Sequence, residues 1–196
     1  PHPPHGQARF GGRAAGAAGA GRGGPGVSSP LQIRSYREAD WPAVWALLEP
    51  VFRAGETFPH DPAITAEDAQ RLWVGQSQAV LVALDGAGSL VGTYYLRPNS
   101  LTLGAHVANA GYVVAGHCRR QGIGSRLCQH SLQTARQLGF RAMQFNLVVS
   151  TNTAGIHCWQ RNGFQIIGTL PEAFRHQRLG YVDALVMVQP LQVPGA

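Results

Sequence analysis

His117-Cys-Arg-Arg-Gln-Gly-Ile-Gly-Ser-Arg-Leu-Cys128 is the stretch on which the reading of this chain turns. It follows an apolar run, Tyr112-Val113-Val114-Ala115, that reads as a strand, and it opens a helical pattern. Within it, Arg119-Arg120-Gln121-Gly122-Ile123-Gly124 has the form R-x-x-G-x-G. Glycine lets a backbone turn tightly and approach a ligand closely. The first amides of a helix have no intrahelical partner and lie at the positive end of its dipole. A strand, a glycine loop and a helix start in this order make an anion cradle suited to a pyrophosphate.

Two common pyrophosphate loops do not fit. A dinucleotide fold wants G-x-G-x-x-G, and Leu127 stands where the third glycine would fall. A P-loop wants G-K-[ST], and the chain contains no lysine. The loop resembles the coenzyme A loop of the GNAT superfamily of N-acetyltransferases, Q/R-x-x-G-x-G/A. A second block supports the resemblance. Asn152 to Phe164 follows a strand-like run, Ala142 to Val149, and matches N-x-x-x-x-x-x-Y-x-x-x-G-F in spacing, with Trp159 where Tyr is usual. Gly163 suits the left-handed residue that ends a helix, and Phe164 then starts a strand. The resemblance covers roughly residues 31 to 190.

It implies an α/β fold with a mixed central sheet, splayed between its fourth and fifth strands, helices on both faces, and the cofactor in the split. It implies acetyl-CoA as co-substrate and no metal. Backbone groups of Tyr112, Val113 and Val114 would pair with the pantetheine arm as another strand would. The loop from Arg119 and Arg120 through Gln121, Gly122, Ile123 and Gly124 to Ser125 would hold the pyrophosphate. Asn152 would reach the cofactor arm.

Composition bounds the rest. The 196 residues suffice for one domain with a core. Residues 1–29 are Gly, Ala, Pro, Arg and Ser with few large apolar side chains, so we expect a disordered tail, with the acetyltransferase domain in 30–196. The tail has no apolar segment of the signal-peptide kind. The net charge is +6, and Arg9, Arg13 and Arg22 of the tail supply half of it. The remainder lacks the dense basic stripe that nucleic-acid binding requires. A mild positive balance suits an anionic cofactor. Cys118, Cys128 and Cys158 are odd in number and show no C-x-x-C spacing, so neither a disulfide framework nor a zinc site is expected. No apolar run reaches the length of a membrane span. The expected setting is cytoplasmic, and homodimerisation is left open.

Along the chain, Leu31–Tyr36 reads as a strand and Arg37–Arg53 as a helix, with Asp40 before Trp41-Pro42 as its N-cap. Thr65–Val74 reads as a second helix opened by Thr65 and Asp68. Strands follow at Ala79–Leu84 and Leu90–Leu96, joined by a turn at Asp85–Gly88. Val107–Ala115 is the next strand, where Gly111 marks either a bulge or a close backbone approach. Gly122–Leu138 and Asn152–Asn162 read as helices around a strand at Arg141–Val149, and Phe164–Leu170 and Tyr181–Val188 as closing strands.

Acetyl transfer to an amine needs a held thioester, a neutral amine, a stabilised oxyanion and a protonated thiolate. The base candidates are Glu56, His60, His106 and His117, with a water relay as the alternative. His near its usual pKa of about 6.5 works at neutral pH. The usual acid is missing, because an indole N–H at Trp159 does not release a proton. His157 and Cys158 point about 100° away from it on a helix and do not simply replace it. A water could protonate the thiolate, or the thiolate could leave unaided, since a free thiol has a pKa of about 8.5. Asn109 and Asn146 are disfavoured in strand interiors. They are either satisfied structural amides or a binding pair from neighbouring strands.

Gly104–Tyr112, Phe145–Val148 and Gly180–Ala184 resemble the azetidine-2-carboxylate/proline-analogue branch of that superfamily. That resemblance implies Asn109, Tyr112 and Asn146 at the acceptor site; we also expect Glu56 in the loop that overhangs that site, and Asn109 and Asn146 as the catalytic pair. The leading reading is an N-acetyltransferase in which a small amine or amino acid attacks the thioester directly. The rivals are acetylation of a protein N-terminus or Lys, and a non-catalytic acyl-CoA-binding sensor.

Overall fold

The computed structural model describes residues 30–192; the expectations for residues 1–29 and for the last four residues lie outside it. The first strand, β1 (Gln32–Ser35), leads into a 3-10 turn at Glu38–Asp40 and then α1 (Trp41–Ala54). Asp40 does not cap α1. Its carboxylate takes the Arg34 guanidinium at 2.7 and 2.8 Å and the Arg37 amide at 2.7 Å, which closes the 3-10 turn instead. The expected single helix from Arg37 therefore starts four residues late. α2 (Ala66–Gln70) is capped by Thr65, whose hydroxyl accepts from the Asp68 amide at 3.1 Å, and it continues into a π turn at Arg71–Gly75.

The strands β2 (Ala79–Leu84) and β3 (Leu90–Pro98) form a hairpin. Asp85 Oδ1 accepts from the Ala87 and Ser89 amides, and Gly88 takes the positive φ of +81°. The central strand is β4 (Val107–Val114), followed by α3 (Ile123–Gln137), β5 (Ala142–Val149) and α4 (Thr153–Arg161). A long hairpin closes the fold, β6 (Gln165–His176) with β7 (Gly180–Pro190). Strand β6 runs past the expected end at Leu170. Pro171 and the positive-φ Glu172 sit in an irregularity between Leu170 and Phe174, which an edge strand tolerates.

The sheet order is β1-β2-β3-β4-β5-β7-β6. Only β4 and β5 run parallel, and they pair only at Val107–Ala142 and Ala108–Met143. Beyond that pair they diverge, so the sheet is mixed and splayed between its fourth and fifth strands, as expected. One core lies under α3 and α4, around Tyr94, Leu127, Met143 and Met187. The other lies under α1 and α2, around Leu48, Phe52, Trp73 and Tyr95. Helices cover both faces and leave the gap between β4 and β5 open.

Gly111 resolves the choice left at its position. Pairing of β3 with β4 is regular from Gly92–Val114 to Pro98–Ala108, so there is no bulge. A Cβ at Gly111 would stand 2.4 Å from Cε1 of Tyr95, so glycine serves the close approach of that ring. The bulge is in β5, where Asn146 and Leu147 together oppose Val186.

Candidate active site

The register of β4 decides which backbone groups face the gap. The Val107 carbonyl accepts from Asn99 and the Ala115 amide donates to Val91, both at 2.8 Å, while the His106 carbonyl accepts from Arg141. Alternation along an antiparallel pair then turns the peptide groups of Asn109, Gly111 and Val113 toward β3. Those of Ala110, Tyr112 and Val114 face β5 where β5 has moved away. Of the three residues expected to pair with a cofactor arm, Tyr112 and Val114 present their backbone to the gap and Val113 does not. The Gly111 amide is likewise engaged toward β3.

A cleft of about 770 Å³ opens there. On one side it is lined by Tyr112, Val113, Val114, Arg119, Arg120, Gly122, Ile123 and Gly124. Gly122 precedes α3 with φ +75°, and no side chain caps this helix. A Cβ at Gly124 would meet nothing nearer than Cys158 Sγ at 3.8 Å, so the protein leaves the space before the first turn free. The Arg126 amide closes onto the Gly122 carbonyl at 3.1 Å, which leaves the amides of Ile123, Gly124 and Ser125 for an anion. These residues fit a pyrophosphate. Gln121 and Ser125 are not in the cleft lining. The Gln121 amide turns back to the His117 carbonyl at 3.5 Å, and Ser125 Oγ exchanges hydrogen bonds with Asn162 at 3.1 and 3.3 Å. Asn152 lines the cleft, but its Oδ1 accepts from Gly155 at 3.1 Å and caps α4.

The floor is aromatic. Trp159 packs on Tyr112 and Phe145, with ring centroids 4.7 and 5.3 Å apart. The Tyr112 hydroxyl meets Ser131 Oγ at 2.6 Å, and burial raises its pKa well above the usual tyrosine value. It stands on the α3 side of the sheet, away from Asn109. Cys158 also lines the cleft, and burial raises its thiol pKa. Neither group is poised as an acid near neutral pH.

The opposite wall comes from distant segments, with Glu56, Thr57 and Phe58 after α1 and His176, Arg178 and Leu179 at the β6–β7 turn. Arg178 Nε donates to Glu56 at 2.5 Å, and this bond holds the carboxyl pKa below its ordinary value. Glu56 is thus present in the cleft but is a weak base. His60 packs edge-on to Phe52 and stacks on Phe58; burial lowers its pKa and keeps it neutral at pH 7. It is not part of the cleft lining. His106 and His117 are exposed and also outside it. Sequence reading missed His176, which is buried and lines the cleft. Its Nδ1 accepts from the amides of Arg178 and Leu179 at 3.2 and 3.3 Å, which puts the ring proton on Nε2. The only signal was a histidine four residues before the hairpin glycine Gly180, which is too common to identify a site.

Asn109 and Asn146 do come together, in a separate recess of about 430 Å³ that also holds Gln76, Arg97, Asn99 and Leu101. Asn109 donates to the Gln144 carbonyl at 3.0 Å and accepts from the Tyr95 hydroxyl at 3.4 Å. Asn146 Nδ2 donates to Asn99 Oδ1 at 2.6 Å, and its Oδ1 accepts from Gln144 at 2.9 Å. The recess shares both strands with the cleft, whose lining resumes at Ala110, Phe145 and Leu147. Among the described residues there is no cluster of three metal-binding side chains and no helix long and apolar enough to cross a membrane.

Comparison with known proteins agrees with this geometry. The acetyltransferase (GNAT) family profile matches residues 41–164. The N-acetyltransferase aca1 of Schizosaccharomyces pombe is 31% identical over 150 residues, covering 67% of this chain and 71% of the relative. A GCN5-related N-acetyltransferase from Kribbella flavida is 44% identical with a TM-score of 0.77, over 82% of this chain and 97% of that one. A phosphinothricin acetyltransferase from Sinorhizobium meliloti, crystallised with acetyl-CoA, is 18% identical and shares the fold at a TM-score of 0.73, over 82% of this chain and 88% of that one. With the loop, the splayed sheet and the uncapped α3 in place, the chain belongs to the acetyltransferase (GNAT) family and is an acyltransferase.

Proposed function

We propose that residues 30–196 form an N-acetyltransferase domain that moves the acetyl group of acetyl-CoA directly to a small amine or amino acid. The observation that carries this reading is the charge of the two linings. They present Arg97, Arg119, Arg120 and Arg178 against one carboxylate, Glu56, which Arg178 already neutralises. A lysine side chain or a cationic N-terminal peptide would meet like charge there. Bound acetyl-CoA supplies the activated acetyl thioester. The chain supplies the loop from Arg119 to Gly124 for the anionic cofactor, and the Tyr112 and Val114 backbone for its arm.

The amine nitrogen attacks the thioester carbonyl carbon. A C–N bond forms, the C–S bond breaks, nitrogen gives up one proton to water, and sulfur leaves as the thiolate. Asn109 and Asn146 orient the acceptor by hydrogen bonding rather than by titration. With Trp159 in place of tyrosine, water protonates the thiolate or it departs as the anion. A cytoplasmic setting is part of the same reading. The test is coenzyme A thiol release with a panel of small amines, amino acids, cyclic secondary amines of the proline type and short peptides. Turnover concentrated in small acceptors supports the proposal, and a preference for peptides would overturn it.

A further inference from the structure

His176 lines the cleft at 4% exposure, and the chemistry above gives it no part. It ends β6 opposite Gly180, which takes φ +77° where the chain turns into β7. The turn between them is tied down at every residue. His176 Nδ1 accepts from the Arg178 and Leu179 amides at 3.2 and 3.3 Å, the Gln177 amide donates to the Gly55 carbonyl at 3.2 Å, and the Arg178 side chain pairs with Glu56. With Nδ1 occupied as an acceptor, the ring proton sits on Nε2. Among the described residues nothing accepts that proton. Gln189 Oε1 is the one buried side-chain nitrogen or oxygen among them left without a partner. The Nε2 atom has no partner either, so it is not sealed in; it opens on the cleft. His176 is thus a fixed, neutral N–H donor that faces the cleft.

We infer that His176 is a catalytic residue, whose Nε2–H donates to the carbonyl oxygen of the acetyl thioester and stabilises the negative charge that develops there as the amine attacks. This rests on the acetyl-transfer reading above and adds to it a residue at the reacting atoms. The carbonyl oxygen is the reacting atom that such a donor suits. A donor facing the amine nitrogen would tie up the lone pair that must attack. A thioether-like sulfur is a weak acceptor, whereas a carbonyl oxygen accepts from the start and gains charge on the way. The Gly111 amide, engaged toward β3, is not free for that oxygen. Arg119 and Arg120 belong to the loop for the anionic cofactor, and Arg178 is paired with Glu56. His176 keeps its proton throughout. As the C–N bond forms, the carbonyl π electrons move onto oxygen, and they return as the C–S bond breaks. The ring is not a base, because Nδ1 is occupied and Nε2 already carries its proton. A donor held in place beforehand costs no reorganisation at the moment of reaction.

Two amide replacements separate this role from a structural one. An asparagine amide reaches about as far as Nδ1, and a glutamine amide about as far as Nε2. His176→Asn is expected to keep the turn, with Tm and acetyl-CoA affinity near those of the parent protein. It should lower kcat on the amine panel above, L-proline included, by about a hundred-fold, the usual loss for one such donor. His176→Gln returns a donor to the cleft and is expected to recover most of kcat. If the ring only held the turn, the Asn variant would be the active one and the Gln variant the poor one. If the ring were a base, both would be equally poor, since neither amide takes up a proton. Either pattern would overturn the inference.

Magnetic resonance of the unaltered full chain, labelled with ¹⁵N-histidine, supplies a readout that needs no variant and no acceptor. His176 is the one histidine among the described residues that lines the cleft. One histidine Nε2–H resonance should therefore move downfield with acetyl-CoA and not with coenzyme A, which lacks the carbonyl. The same response to both ligands would overturn the inference. If the acetyl-specific shift holds while no amine of the panel is acetylated, the transfer reading fails and the contact with the carbonyl oxygen stands. If amines react at the parent rate in His176→Asn and no resonance moves, the inference fails and the transfer reading stands.

Discussion

The two walls of the cleft are built in opposite ways. The α3 wall is contiguous, one loop and one helix start, and it presents mainly backbone amides. The facing wall joins Glu56 to Arg178 across 122 positions of sequence, and it works through side chains. The helix starts repeat the contrast at closer range. The α4 start is closed by its own Asn152, while the α3 start has no side-chain cap. At the α3 start the amides of Ile123, Gly124 and Ser125 are left to an anion, whereas at the α4 start Asn152 takes the Gly155 amide. A pyrophosphate is recognised by any correctly shaped backbone, so its site can be short and local. An acceptor is recognised by side-chain chemistry, so its site can be assembled from anywhere the fold permits.

The largest test of this contrast is on the contiguous wall. Gly122→Asp puts a Cβ at φ +75° and a like charge beside the pyrophosphate, and Gly124→Asp fills the space before the first turn of α3. Either is expected to weaken acetyl-CoA binding by about a hundred-fold or more, since it reverses the helix-terminus and charge terms together. Calorimetric titration of the folded variant measures this. Unchanged affinity would place the cofactor elsewhere.

A smaller effect is expected on the acceptor side. Asn146→Ala should lower amine kcat/KM by roughly ten- to a hundred-fold while acetyl-CoA affinity barely moves. Loss of both in step would move Asn146 to the cofactor side of the comparison.

The Glu56–Arg178 pair predicts a pH dependence that is smaller still. The folded carboxyl pKa lies below its ordinary 4.5. The pair therefore contributes fully above that value, and the contribution fades as pH falls through the lowered one. Arg178→Gln should lower Tm slightly at pH 7, and the gap to the parent protein should close on strong acidification. The pair is solvent-exposed, so the effect is small and salt-sensitive. A gap that widened in acid would reverse the assignment.

The smallest expected change follows deletion of residues 1–29. Both walls are complete within the described residues, so turnover and Tm should stay as they are. A fall in either would give that segment a part in the site.

Legibility in the sequence follows the same division. Gly122 and Gly163 were readable because a loop glycine or a left-handed helix end is a local requirement with few chemical solutions, whereas Asn152, expected at the cofactor arm, lines the cleft and caps α4 as well. The alternating strands and the two helix periods gave the element order, and the family resemblance gave the splay. Local reading failed where a partner lay far away in the chain. Asp40 resembled a helix cap until Arg34 claimed its carboxylate. Gly111 allowed two readings until the Tyr95 ring was found above it. Ser125 belonged to the loop motif, yet Asn162 drew it toward α4.

The sequence by itself determined the R-x-x-G-x-G loop at a helix start, the element order and the tryptophan at position 159 where the family pattern has tyrosine, because each depends on backbone geometry or residue identity within one short segment. Only the tertiary structure decided which peptide groups of β4 face the gap, that His176 shares the cleft with Glu56, and that Arg97 stands among the amides without an acid. Those facts depend on strand register and on contacts between segments far apart in the chain, and a side chain's partner is fixed only when the packing that buries it is complete.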